Sequence, residues 1–316
     1  MTTSSLPQDP LWPRAGSWPV DDGSDAVDLM LVGVPTSRTS ISATQAHTTP
    51  DAIRAALRRY SEHSVSLDGA IDTVLSEALR LRDAGNVLDP DTPSGEAAAI
   101  GVIADLAARS HLVLALGGDN AATVPAALGG FGDDLATAGL ITFDAHHDLR
   151  DGVSNGSPVR RLVEAGLDPR RIVQVGIADF ANSAAYRARA RELGITVIHR
   201  DAFFERSIAD IVAEALEVAG AAGGPVHVDI DVDVCDRSVV PACPASVPGG
   251  LSAQELRRSV RLVARDRRVR SLDLTEIDAA ADTADGRTVR LAALLVLEAA
   301  TGLAHRLTSP TNGSRR

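Results

Sequence analysis

Gly139-Leu140-Ile141-Thr142-Phe143 runs directly into Asp144-Ala145-His146-His147-Asp148-Leu149-Arg150. The opening five residues are an apolar run of strand length, and Asp144, His146 and Asp148 follow as potential metal ligands spaced two apart. Successive side chains of a strand point to opposite faces, so residues two apart share a face and these three are expected to converge. A second cluster lies further along, where Asp229, Asp231 and Asp233 alternate behind Val226-His227-Val228. Carboxylates crowded at a strand end repel one another unless cations compensate, and mixed Asp and His ligation suits Mn²⁺, Fe²⁺, Zn²⁺ or Ni²⁺ better than Ca²⁺ or Mg²⁺. One such cluster could be a solvated acidic strand end. Two of them, each behind a hydrophobic strand, point to a metal site, because buried unpaired carboxylates are costly.

Outward from these clusters the chain alternates. Apolar runs of strand length occur at Val27 to Gly33, Leu112 to Leu116, Ile172 to Val175, Thr196 to His199, Pro225 to Val232 and Val269 to Leu274. Helical stretches lie between them: Asp51 to Tyr60, Ile71 to Ala84, Ser94 to Arg109, Pro158 to Ala165, Ser183 to Leu193, Ile208 to Val218 and Ala253 to Ala264. Near-continuous apolar strands separated by amphipathic helices indicate an α/β fold with a mostly parallel sheet covered on both faces. Ligands in such sheets bind just beyond the carboxyl ends of the strands, where both acidic clusters fall. Residues 1–25 lack periodicity and read as an irregular arm, residues 26–308 as one catalytic domain, and residues 309–316 as a polar tail.

Composition narrows the function classes. A chain of 316 residues with 45% apolar content can bury a large core. The net charge of −11 argues against nucleic acid as a partner, since neutralising phosphates needs a basic surface. Only Cys235 and Cys243 are present, too few for a disulfide framework, and two reduced thiols are expected. All 31 basic residues are Arg, which excludes Schiff-base chemistry and a Walker lysine. No run approaches the length of a membrane span and the N-terminus lacks a signal-peptide pattern, so the expected location is the cytoplasm.

Several further motifs occur in a particular order: Gly33-Val34-Pro35, Thr49-Pro50-Asp51-Ala52-Ile53-Arg54, Leu116-Gly117-Gly118-Asp119-Asn120, Val247-Pro248-Gly249-Gly250-Leu251, Glu276-Ile277-Asp278 and Thr288-Val289-Arg290-Leu291-Ala292. Together with Asp144-Ala145-His146-His147-Asp148 and Asp231-Val232-Asp233-Val234-Cys235-Asp236, they resemble the arginase/agmatinase/formimidoylglutamase family of ureohydrolases. The resemblance covers everything but the terminal arms. It implies a three-layer αβα sandwich, a binuclear Mn²⁺ centre and a homotrimer or homohexamer. Carried over residue by residue, Asp144 and Asp231 bridge the two metals, Asp148 sits on one, and His146 and Asp233 sit on the other. A metal-activated hydroxide then attacks the planar carbon of an amidine or guanidinium. Asp148 handles the proton, Glu276 holds the cationic N–C–N group, and His147, at a variable position, stands beside them as a further catalytic candidate or as a supporting imidazole.

Two departures bear on mechanism. Most of the family carries a ligating His where this chain has Asn120, and an amide oxygen is the weaker ligand, so two metals are expected, or one if that site is labile. Within Ser154-Asn155-Gly156-Ser157-Pro158, Asn155 replaces a His that relatives use in proton transfer. Arg38 and Arg150 are expected on the catalytic face, where two guanidinium groups would suit a tail with two carboxylates. Asn155, Ser157 and Asp179 complete the expected substrate contacts, and Gly176 to Ser183 is similar to formimidoylglutamase-like members. The resulting expectation is hydrolysis of N-formimidoyl-L-glutamate to N-formylglutamate and ammonia. Agmatine or a guanidino acid, with urea released, is the alternative substrate class, and a non-catalytic metal-binding or regulatory protein is the alternative role.

Overall fold

Val27–Val34 is buried along its whole length, so this first strand (β1) must be covered on both faces. The chain continues through α1 (Thr49–Leu57), β2 (His63–Val65), β3 (Asp72–Val74), α2 (Leu75–Ala78), β4 (Leu81–Asn86), α3 (Pro93–Ala108), β5 (Ser110–Gly117), α4 (Thr123–Phe131) and β6 (Gly139–Phe143). Its second half holds α5 (Pro158–Ala165), β7 (Ile172–Ile177), α6 (Ala184–Leu193), β8 (Thr196–His199), α7 (Ala202–Glu205), α8 (Ile208–Ala219), β9 (Val226–Asp231), α9 (Ala253–Val263), β10 (Val269–Thr275) and α10 (Arg287–Thr308). The computed structural model describes residues 9–23, 26–65 and 72–308.

Eight strands form one sheet in the order β4-β1-β5-β10-β9-β6-β7-β8, and every neighbouring pair is parallel. Strand alternation divides the core. Leu29 and Leu31 of β1 join Leu114, Ile230, Leu272 and Val296 on the face covered by α1, α8, α9 and α10. Met30 and Val32 point the other way, toward Ile103 of α3 and Ala126 of α4, and beyond β6 that face continues into Leu162 of α5 and Ala190 of α6. The result is an αβα sandwich. Because β5, β10, β9 and β6 are adjacent and parallel, their carboxyl ends meet at the middle of one sheet edge.

The stretch Ile71 to Ala84, expected as a helix, departs from that reading. Residues 72–74 pair with β2 as a small antiparallel hairpin, α2 is a single turn, and Leu81–Asn86 is the edge strand β4; residue 71 lies outside the described residues. Burial follows a period of two: Leu79 and Leu81 are buried, while the Arg80 guanidinium reaches Asp28 at 2.9 Å. The hydrogen-bonding edge offered by β1 outweighs local helix propensity here. Residues 9–23 contain no helix or long strand, and they are pinned: Ala15 and Trp18 are buried, and Trp18 Nε1 donates to Glu62 Oε1 at 3.0 Å. The tail expected over 309–316 lies outside the described residues. By length and composition α10 could cross a membrane, but 83% of its apolar window is buried, which makes it a core helix.

Candidate metal centre

Four strand ends supply the site. After β5, Gly117 and Gly118 allow a close approach that no side chain could share: a Cβ on Gly118 would run into the Thr36 carbonyl oxygen. Asn120 follows. β6 ends at Phe143, and residues 144–150 continue without regular structure, with Asp148 in the left-handed region at φ 51°. β9 ends at Asp231, and Asp233 sits in the 3₁₀ turn Val232–Val234, where its N–H donates to Asp231 Oδ1 at 2.8 Å. β10 delivers Glu276, also left-handed at φ 61°. Both acidic clusters therefore converge, but through turns and strained residues instead of the extended alternation expected; non-Gly residues in this region cost about 1–3 kcal/mol each and concentrate at functional sites.

The donor atoms of Asp144, His146 and Asp233 lie within 4.8 Å of one another, as do those of Asp231, Asp233 and Cys243. His146 Nδ1 is 2.7 Å from Asp233 Oδ2 and 3.5 Å from Asp144 Oδ1. Asp144 Oδ2 is buried without a hydrogen-bond partner. An orphaned carboxylate oxygen beside an imidazole and three more buried carboxylates fits a divalent transition metal. The electrostatics agree. Burial, reinforced by neighbouring carboxylates, holds Asp144 and Asp231 well above the usual carboxylate range, and burial also raises Asp148 to about 7 and Glu276 to about 8. Burial opposes the charge on His146 as well, but Asp233 prevails and raises the imidazole to about 9.

The metal-free protein should therefore lose stability as pH rises. Asp148 and Glu276 bind protons more tightly folded than unfolded, so that stabilisation is complete below about pH 4 and is lost as pH passes about 7 and 8. His146, raised from 6.5 to about 9, adds a contribution lost over that interval. Each extra bound proton gives a slope of about 1.4 kcal/mol per pH unit. Melting curves between about pH 5 and 9 should show a falling Tm in chelator and a flatter profile in Mn²⁺; a metal-free Tm that rises with pH would contradict this electrostatic account.

Asn120 does not present a ligand atom as expected. Its Nδ2 donates to Asp148 Oδ2 at 2.5 Å, and its Oδ1 accepts from Thr123 Oγ1 at 2.6 Å and Thr275 Oγ1 at 3.0 Å. An amide nitrogen has no free lone pair for a metal. Glu276 Oε1 accepts from the Asn120 backbone N–H at 2.9 Å and from Asn155 Nδ2 at 2.6 Å, while Asn155 Oδ1 accepts from Ile41 N–H at 3.0 Å. Asn155 thus ties the first active-site loop to Glu276. His147 is buried; its Nδ1 lies 2.6 Å from Gln174 Oε1 and its Nε2 has no hydrogen-bond partner. Desolvation lowers its pKa, so the ring is a neutral imidazole.

A cleft of about 310 Å³ opens over these groups, lined among others by Ile41, His147, Arg150, Tyr186, Pro244 and Glu276. Three expected contacts fall outside it. Arg38 is exposed and pairs with Asp89 at 3.3 Å, and Asp179 is exposed beside His199 at 3.2 Å. Ser157 is buried in its own turn, accepting from Ser154 N–H at 2.9 Å and donating to Ser154 O at 2.7 Å. Other participants escaped sequence reasoning. Asn182 Oδ1 accepts from His147 N–H at 3.0 Å, and Gln174 fixes the His147 ring. A lone Gln inside the apolar strand β7 was the available signal.

An αβα sandwich with carboxylates and an imidazole gathered where its central strands end is an arginase-like metal-site fold. The arginase family model matches residues 27–302, and the chain belongs to that family. It is 33% identical over 302 residues to formimidoylglutamase from Bacillus subtilis, covering 89% of each chain. The solved structure of formimidoylglutamase from B. subtilis superposes with a TM-score of 0.85 at 30% identity, covering 96% of this chain and 95% of that one. A Trypanosoma cruzi formiminoglutamase solved with Mn²⁺₂ has the same fold, with a TM-score of 0.79 at 24% identity over 89% of this chain and 94% of that one.

Proposed function

We propose that this protein is a Mn²⁺-dependent hydrolase that uses water to cleave a C–N bond of the formimidoyl group of N-formimidoyl-L-glutamate. The observation that carries this reading is a single cleft with Glu276 and the buried carboxylates at its floor and Arg150 in its wall. The similarity to formimidoylglutamases over most of the chain supports it. Asp144, His146, Asp148, Asp231 and Asp233 would hold the metal; with Asn120 turned away, the position nearest it has one protein donor fewer. Bound divalent metal supplies hydroxide near neutral pH by lowering the pKa of water.

The remaining chemistry belongs to the side chains. Glu276, held through Oε1 by two N–H donors, meets the amidinium with its negative charge. Asp148 would take the proton released by the attacking water and return it to the departing nitrogen. Asn155 cannot titrate, and His147, a buried imidazole among the cleft-lining residues whose Nε2 has no hydrogen-bond partner, is the candidate for a second proton acceptor. Arg150 is the one remaining member of the expected arginine pair, and its guanidinium suits a glutamyl carboxylate.

Arg150→Ala should lower kcat/KM for formimidoylglutamate by roughly tenfold or more, about 1.4 kcal/mol, with unchanged Mn²⁺ content. The same assay on agmatine and guanidino acids, scoring turnover of each substrate, tests the substrate class. Higher kcat/KM for a guanidino compound than for formimidoylglutamate, or an Arg150→Ala enzyme of full activity, would overturn the assignment.

A further inference from the structure

Behind Asn120 lies a buried polar group that the reaction does not use. Thr123 Oγ1 and Thr275 Oγ1 each face two acceptors: Asn120 Oδ1 at 2.6 and 3.0 Å, and Asp229 Oδ1 at 3.3 and 3.4 Å. Asp229 is in turn backed by its register partner Asp273 on β10, whose Oδ2 lies 3.2 Å from His227 Nε2, and His227 Nδ1 is 2.7 Å from Ser271 Oγ. Every one of these residues is almost fully buried. None of Asp229, Asp273, His227, Thr123 or Thr275 lines the cleft.

We infer that Asp229 is a positioning residue that decides which end of the Asn120 amide faces the metal centre. A threonine hydroxyl has one proton. While both protons point to Asn120 Oδ1, the amide nitrogen is directed at Asp148 and Asn120 offers nothing to a metal. Turning the amide over would bring its oxygen to the Asp148 side, where a cation offsets the repulsion between two oxygens, and would set its NH₂ against the two threonine oxygens. Those oxygens accept only if their own protons find another acceptor, and within this buried pocket Asp229 Oδ1 is the acceptor both hydroxyls already reach. Asp229 therefore makes the ligating orientation available, through hydroxyl rotation alone and at a distance from the metal. An Asn at position 120 is then a switchable donor with a requirement that an imidazole would not have.

This inference rests on the metal reading above, and calorimetric Mn²⁺ titration of the full-length apo-protein separates the two. Wild type should bind Mn²⁺ at two positions of unequal affinity. Asp229→Ala should weaken the looser position by about tenfold or more and leave the tighter one largely unchanged, the size expected when an outer partner of a metal site is removed. Asp229→Asn should behave like wild type, because its amide oxygen still accepts from both threonines while its NH₂ can donate to Asp273. Adding Asn120→His to Asp229→Ala should restore the looser position, since an imidazole needs no acceptor behind it. Unchanged affinities in Asp229→Ala, a loss in Asp229→Asn equal to that of Ala, or failure of Asn120→His to restore binding would each overturn the inference. Should the Ala variant not fold, the Asn variant still decides whether acceptor capacity or charge matters. A wild type that binds no Mn²⁺ would overturn the metal reading and this one together.

Discussion

Asp231→Ala should abolish Mn²⁺ retention and lower kcat by roughly 10³-fold or more, at least about 4 kcal/mol of transition-state stabilisation. Asp231 is 3% exposed, closes β9, accepts the Asp233 N–H, and belongs to the donor set with Asp233 and Cys243. Its burial and the repulsion of Asp233 and Asp144 make its charged form costly to keep without a cation, which supports a role as ligand. Removing it also removes repulsion. The metal-free variant should therefore melt no lower than metal-free wild type, against the usual expectation for a change in a buried site. Mn²⁺ at about 100 times its Kd should stabilise wild type by about 2.7 kcal/mol and leave the variant unmoved. An Asp231→Ala protein that still gains stability from Mn²⁺, or still turns over, would remove Asp231 from the ligand set.

What the sequence could reveal depended on how local each feature is. The strand Gly139–Phe143 matches its apolar run, because a strand buried on both faces writes its burial into consecutive residues; the edge strand Thr196–His199 matches too, although only Ile198 is buried there. The short hairpin strand and the edge strand within 72–86 do not, because β4 finds its partner β1 about fifty residues earlier in the chain and the Leu79-Arg80-Leu81 alternation is too short to announce a strand. The candidate ligands were legible as residue types at a fixed spacing, while the backbone that gathers them was not. Left-handed Glu276 has no sequence signature, and Asp148, although of a type enriched in that region, is not marked there by its sequence alone. Arg38 failed for a related reason: following a strand end placed it at the right edge, but Asp89, some fifty positions away, draws its guanidinium outward. The Asn120 amide is the sharpest case. Its identity announced a weak ligand, whereas the direction of the amide is set by two threonines and Asp229, residues that no motif connects to it.

Glu276→Gln should reduce kcat/KM by roughly 10²- to 10³-fold while leaving Mn²⁺ content and fold intact. Gln keeps the shape and an oxygen to accept from Asn120 N–H and Asn155 Nδ2, so the change removes charge and little else. A desolvated charge pair lost from one partner costs about 2–5 kcal/mol, which spans that range. In the metal-free site burial raises Glu276 to about 8, so near neutrality it holds a proton that must leave before it can meet a cation. Mn²⁺ opposes this by stabilising nearby negative charge. The ascending, acid-side limb of kcat/KM in the loaded enzyme should accordingly have its midpoint below pH 8, rising with pH as Glu276 ionises, and that dependence should vanish in Glu276→Gln. The residual rate in the variant then reports the other groups: if Asp148 governs the proton, a second pH dependence persists unaltered. A Glu276→Gln enzyme with wild-type kcat/KM, or one whose loss is explained by missing Mn²⁺, would mean that the carboxylate shapes the site without holding the substrate.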